Sequence, residues 1–183
     1  MILIDCGVFM RTAWQIRQLF DSEKDPDIKK NMVRHVIIKN IIDWKTEFER
    51  KYGSVVLCDD IRGNSWRKDI FPYYKAGRRK NLTEKDIEFF NTIHMVKEEI
   101  SNVFKHWTYL QVEKAEADDI IAAMVKFNSK NRNERDLIIS HDHDMIQLLS
   151  YNHVDVYSVV NKKMVKNDIN EYKYFNNFGI YQE

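Results

Sequence analysis

The sequence predicts an α/β protein with a mostly parallel central sheet flanked by helices. Two observations carry this reading. Short apolar runs at residues 2–4, 55–58, 108–112, 137–140 and 154–159 have the length and composition of buried strands. Helix-period patterns lie between most of them, and that alternation is the signature of strands joined by crossover helices.

Taken in order, residues 1–6 read as a short buried strand carrying Asp5. Residues 9–20 read as helical and residues 21–27, with Pro26, as a polar loop. Residues 28–51 predict a long amphipathic helix, because Met32, Val36, Ile37, Ile41, Trp44 and Phe48 recur at helical spacing. Gly53 suits its C-terminal cap. Residues 54–58 form the second strand, with Asp59 and Asp60 at its exit. Residues 61–81 are basic and aromatic without a clean period. A second long helix is expected over 82–106, opened by Thr83 with Asp86 three residues on, as in a capping box. Residues 108–112 are the third strand and 118–127 the next helix, followed by a polar loop at 128–135. Residues 137–140 are the fourth strand, with Asp142 and Asp144 beyond it. A short helix at 145–149 and a fifth strand at 154–159 follow, and Asn161-Lys162-Lys163 reads as a turn into another short strand.

A chain of 183 residues, 44% hydrophobic, with two prolines and five glycines, suits one folded domain rather than a disordered segment. No stretch is long enough to span a bilayer, and the apolar start is broken by Asp5 with no cleavage site after it. Cys6 and Cys58 both lie in apolar strand-like runs and read as buried free thiols of a reducing compartment.

The chemistry is concentrated in the acids. Ligands of parallel α/β sheets bind outside the carboxyl ends of the strands. Four strand exits deliver carboxylates there: Asp5, Asp59-Asp60, the Glu116-Ala117-Asp118-Asp119 run, and Asp142 with Asp144. Any one strand-end aspartate has a plain explanation as a helix cap. All of them together crowd negative charge, which a hard divalent cation with oxygen ligands would relieve. Mg²⁺ or Mn²⁺ fits that donor set, and zinc is disfavoured because no cysteine lies in the acid cluster and histidine is not needed. Such ions activate water and stabilise both oxygens of a phosphodiester displacement. A nucleoside triphosphatase is disfavoured by the lack of a glycine-rich phosphate loop, and acyl transfer by the lack of Ser-His-Asp or Cys-His spacing. His141 and His143, either side of Asp142, read as solvent-facing loop residues.

The net charge is only +1, yet Arg62 to Lys80 holds seven basic residues and one acid, Asp69, among Trp66, Phe71, Tyr73 and Tyr74. A basic strip can be a solvated face. Interleaved with aromatics beside an acidic pocket, it also suits a polyanion with bases to stack. Residues 61–106 lengthen the connection between the second and third strands far beyond an ordinary crossover.

These residues resemble the structure-specific 5′-nucleases, or flap endonucleases, and within them the ribonuclease H branch of T-even-type bacteriophages. The resemblance is carried by Ile2-Leu3-Ile4-Asp5 and by Val55-Val56-Leu57-Cys58-Asp59-Asp60. It continues in the Arg-x₄-Pro-x-Tyr-Lys-x₂-Arg pattern from Arg67 through Pro72, Tyr74 and Lys75 to Arg78, in Glu116-Ala117-Asp118-Asp119, and in Ser140-His141-Asp142-His143-Asp144 with Gln147-Leu148. These motifs span most of the chain in order.

The resemblance implies a PIN-like fold of one catalytic domain over 1–183, with a basic helical arch inserted at 61–106. It implies a two-ion phosphodiesterase in which Asp60, Glu116, Asp118, Asp142 and Asp144 hold the first Mg²⁺ or Mn²⁺, with Asp5 and Asp119 nearby. Lys75 and Arg78 would act on the scissile phosphate. Arg67, Lys68, Tyr74, Arg79 and Lys80 would bind nucleic acid, with Tyr74 stacking on a terminal base. Substrates would be DNA with a 5′ flap or nick, or RNA–DNA hybrids, in primer removal or repair in the cytoplasm of a phage-infected bacterium. A replication clamp or single-strand-binding protein would be a candidate partner, and a membrane would not. Two departures stand out: His143 replaces the family's usual glycine, and no helix–three-turn–helix region for duplex DNA occurs in these 183 residues. Asp168 and Glu171 do not match that region. That leaves a piece of a longer protein or a short form as alternatives. A single-stranded ribonuclease of PIN type and a branched-DNA binding module are the rival functions.

Overall fold

The computed structural model, which describes residues 1–61, 65–77, 81–104, 106–131 and 134–165, forms six strands among those residues. They are β1 (Ile2–Asp5), β2 (Val55–Cys58), β3 (Thr108–Leu110), β4 (Asp136–Ser140), β5 (Val154–Ser158) and β6 (Lys163–Met164). β1, β2 and β4 are buried at every position, as strands covered on both faces must be. The sheet order is β3-β2-β1-β4-β5-β6, and all pairs are parallel except β5 with β6.

The helices are α1 (Val8–Ala13), α2 (Arg17–Ser22), α3 (Pro26–Tyr52), α4 (Trp66–Ile70), α5 (Glu84–Val103) and α6 (Ala117–Asn131), with a 3₁₀ helix at His143–Ser150. Alternate strand residues feed two cores. Ile2, Ile4, Val55, Leu57, Leu137 and Ile139 join the core that holds Phe9, Val33, Ile37, Ile41, Phe89, Ile93 and Val96 of α1, α3 and α5. Leu3, Val56, Cys58, Ile138 and Val156 join Ile120, Ile121 and Val125 of α6 with Met145 and Ile146 of the 3₁₀ helix. The chain winds outward from β1 to β3 and then returns to β4 on the other side of β1. The carboxyl end of β1 is therefore the topological switch point, where such sheets hold ligands.

Several elements differ from the sequence expectation. The helix expected at 9–20 is broken by a 3₁₀ turn at Trp14–Ile16, after which α2 packs Phe20 edge-on against Phe89, with ring centroids 4.9 Å apart. α3 starts at Pro26 rather than 28, because Asp25 caps it by accepting from the N–H groups of Asp27 and Ile28 and Pro26 loses nothing at the first position. α6 continues to Asn131 through a stretch read as loop, because the Asn128 amide finds a buried partner in Asp136 at 2.8 Å. α4, only five residues long, lies in a stretch where the sequence shows no clean period. The Thr83–Asp86 capping box of α5 is present, as is Gly53 closing α3 with φ 82°. The second half of the 61–106 insertion, α5, lies in the main core.

Candidate metal and nucleic-acid site

Asp5, at the end of β1, is almost wholly buried. Its carboxylate accepts from the Gly7 N–H and from the Ser140 hydroxyl, both at 2.8 Å. Burial raises its pKa; the Gly7 and Ser140 hydrogen bonds and His141 counter this in part, and Asp60 adds repulsion. A Cβ at Gly7 would lie 2.9 Å from Asp5 Oδ1, so a side chain there would push the carboxylate aside. Ser140 Oγ also accepts from the Asp142 N–H at 3.0 Å, so one hydroxyl ties the exits of β1 and β4 together. Asp142 and Asp144 are exposed at the start of the 3₁₀ helix, where Asp142 accepts from the Asp144 N–H at 3.0 Å. His141 and His143 are exposed as expected.

The two acids after β2 part company. Asp59 turns inward to Lys97 and Tyr109, both at 2.6 Å. Asp60 is exposed and accepts from the Ala117 N–H at 2.7 Å, which brings it to the start of α6. There Glu116 is buried, and Asp118 and Asp119 are half-buried.

The sequence suggests that these three acids repel one another with no basic residue among them. The structure supplies the cations from the basic segment. The Arg67 guanidinium reaches Asp119 at 2.7 Å, Asp118 at 3.2 Å and Glu116 at 3.3 Å. Glu116 also accepts from Lys75 Nζ at 2.8 Å and from the Tyr74 hydroxyl at 3.1 Å. Asp119 is saturated by Arg67, by Trp66 Nε1 at 3.0 Å and by the Glu116 N–H at 3.0 Å. The Asp119 pKa falls although burial pushes the other way, because the Arg67, Glu116 and Trp66 donors outweigh it. Lys75 and its neighbours lower Glu116 against the same opposition. Asp118 is raised by burial and by Asp119, which Arg67 only partly offsets.

The segment that delivers these cations is anchored. Ser65 caps α4 by accepting from the Arg67 N–H, the Trp66 N–H donates to the Lys114 carbonyl at 2.8 Å, and Lys114 pairs with Asp69. Lys75 has a left-handed backbone, φ 57°, a strain of about 1–3 kcal/mol that clusters at functional sites. Tyr74 does not project freely; Arg67 and Lys75 lie 5.9 and 5.0 Å from its ring. Ile70, Phe71 and Tyr73 are the exposed apolar edge, with Tyr73 76% accessible. Lys68 is exposed too. Arg78, Arg79 and Lys80 lie outside the described residues, as do Asp168 and Glu171.

The seven acids thus stand at one sheet edge in two groups. Asp60 joins Glu116, Asp118 and Asp119, whereas Asp5 joins Asp142 and Asp144 through Ser140. Among the described residues, no three His, Cys, Asp or Glu side chains form a ready-made cation cage. The donor set still suits a hard divalent ion: every candidate is a carboxylate, two of them are raised by burial, and two protein cations already neutralise one group. The thiols nearby do not compete. Cys6 and Cys58 are buried and unpaired, and burial pushes Cys58 up to about 12.

Gly7, the inward use of Arg67, and Lys97 fall outside the sequence expectation. Lys97 had a signal: it interrupts the apolar stripe of Phe89, Ile93, Val96 and Ile100.

Fold and site define a doubly wound α/β protein whose ligand edge is lined with carboxylates and overhung by a basic aromatic segment. A family model described as the N-terminal resolvase-like domain of 5′-3′ exonucleases matches residues 1–179, and the chain belongs to that family. It is similar to ribonuclease H of Enterobacteria phage T4, with 36% identity over 151 residues, 80% of this chain and 48% of that protein. It is similar to a 5′-3′ exonuclease of Buchnera aphidicola subsp. Schizaphis graminum, with 25% identity over 182 residues, 98% of this chain and 57% of that one. The chain spans about half the length of the curated relatives it matches. Among solved structures, T5 5′-exonuclease with bound zinc superposes with a TM-score of 0.71 at 18% identity, over 96% of this chain and 60% of that one. T5 D15 flap endonuclease, in a complex with DNA and metal ions, gives a TM-score of 0.70 at 18% identity, with the same coverage. These two likenesses establish the shared fold. Among the described residues, no helix is long and apolar enough to cross a membrane.

Proposed function

We propose that this chain carries the catalytic domain of a metal-dependent 5′-nuclease that hydrolyses phosphodiesters at 5′ flaps, nicks or RNA–DNA hybrids. One observation supports the reading: carboxylates from four strand exits stand along the sheet edge at the switch point, in two groups, and Arg67 and Lys75 of a basic aromatic segment reach into one of them. Asp60, Glu116, Asp118, Asp142 and Asp144 would hold Mg²⁺ or Mn²⁺, with Asp5 beside them. Asp119, its oxygens already accepting from Trp66, Arg67 and the Glu116 N–H, serves instead to dock α4. When bound, the ions supply a Lewis acid and an activated water.

The chain's own groups do the rest. Lys75 neutralises Glu116 in the free protein. As substrate arrives, its ammonium is in place to meet a non-bridging phosphate oxygen, where negative charge grows in the transition state. Arg67 holds α4 against the acids, so that the segment bearing Lys75 does not drift. Phe71 and Tyr73 offer exposed rings on which unpaired bases stack. Arg78, Arg79, Lys80 and Lys68 add positive charge along the same strip.

The test is cleavage of end-labelled 5′-flap DNA, an RNA–DNA hybrid and single-stranded RNA, with Mg²⁺, Mn²⁺ or EDTA. Metal-dependent cutting of the flap or hybrid is expected. Cutting of single-stranded RNA alone would point to a PIN-type ribonuclease. A metal-indifferent gel shift without products would make the chain a branched-DNA binding module.

A further inference from the structure

Lys97 is a charged residue on the apolar face of α5, among Ile93, Val96 and Ile100. Its side chain is 13% accessible, and its ammonium bonds Asp59 Oδ1 at 2.6 Å. The other Asp59 oxygen accepts from the Tyr109 hydroxyl at 2.6 Å and the Gln111 amide at 3.2 Å. The same Gln111 amide reaches the backbone carbonyl of Asp60 at 3.3 Å. A continuous network therefore runs from α5 through Asp59 and Gln111 to the backbone of Asp60. The exit of β1 lies alongside it: the Cys6 N–H donates to the Cys58 carbonyl at 2.8 Å, and Cys6 follows Asp5.

Stability alone does not account for this pair. A buried ion pair adds little over apolar residues of similar volume, because both charges lose their water. The surroundings would accept such residues, with the Phe9 ring 5.9 Å from the Lys97 ammonium. The ammonium nonetheless stays charged: burial works against it, but Asp59 outweighs burial and its pKa rises.

We infer that Lys97 and Asp59 are positioning residues that lock α5 to the exits of β1 and β2, fixing where Asp60 and Asp5 stand to receive a divalent ion. This rests on the nuclease reading of the site. The basic segment returns to the core through α5, so the same lock also sets where that segment rejoins the sheet. Outer groups of this kind orient carboxylate ligands without touching the ion.

The experiment uses the whole chain. Mn²⁺ binding is measured by calorimetry and flap cleavage by steady-state kinetics, with melting followed by circular dichroism. The variants are Lys97→Arg, which keeps the charge, and the double variant Asp59→Asn with Lys97→Gln, which keeps size and hydrogen bonding without charge. At a temperature where both are folded, the double variant is expected to bind Mn²⁺ about tenfold more weakly and to lose about tenfold in kcat, with KM within about twofold. Lys97→Arg is expected to retain most of both values. A double variant with wild-type Mn²⁺ affinity and kcat overturns the inference, whatever its melting temperature. So does one that fails to fold, since the pair would then be a structural necessity. A wild-type chain that binds no Mn²⁺ would instead remove the nuclease reading, and this inference with it.

Discussion

Gly7 shows how closely one position is bound to the chemistry of another. Its N–H holds Asp5 at 2.8 Å, and a methyl group in its place would lie 2.9 Å from the same oxygen. Gly7→Ala is therefore expected to displace the Asp5 carboxylate and weaken Mn²⁺ binding about tenfold while the chain stays folded, as calorimetry and melting would show. Lys75→Ala is expected to slow flap cleavage about 100-fold and to change flap affinity less than about threefold. The opposite ranking would reduce Lys75 to an electrostatic grip. At this scale the acids were legible, because a carboxylate after a buried strand has few places to go. The division of labour between Asp59 and Asp60 was not legible from composition. Neighbouring residues leave a strand in opposite directions, and only the packing of α5 decides which one is covered. The partners of Glu116 were hidden for a related reason. Arg67 and Lys75 lie far away in sequence, and the local run shows only acids.

Among the elements, α3 is the long support on which α1 and α5 pack. Its start depends on Asp25, so Asp25→Ala is expected to cost about 1 kcal/mol and lower the melting temperature by a few degrees. β5 is tied to the end of α3 through Asp155, which accepts from Arg135, Tyr52 and Lys51. Burial opposes ionisation there, but Arg135 and Tyr52 win and hold Asp155 at about 2. A carboxylate with a lowered native pKa stabilises the fold above its unfolded value of about 4 and loses that contribution as pH falls toward the native value. Stability measured by denaturant titration should therefore drop between about pH 4 and 2, and Asp155→Asn should flatten that limb. Long helices and buried strands were legible from period alone. α4 and β6 were not, because five and two residues are too short to show a period. The sequence places Pro26 in a loop rather than in α3, because proline ends helices more visibly than it starts them.

The whole molecule sets an acidic sheet edge against a basic segment, and a net charge of +1 conceals that division. The strand order places the return of the chain at β1, which is why acids from β1, β2 and β4 and from the start of α6 reach one edge although they are scattered through the sequence. The order itself was not written in any single motif; it follows from which strands bury their faces against which helices. The most direct measurement is anomalous scattering from crystals of the chain soaked in Mn²⁺. A peak bounded by Asp60, Glu116, Asp118, Asp142 and Asp144 is expected, as is its loss in Asp142→Asn. Manganese absent from that edge, or bound only on an unrelated surface, would contradict it.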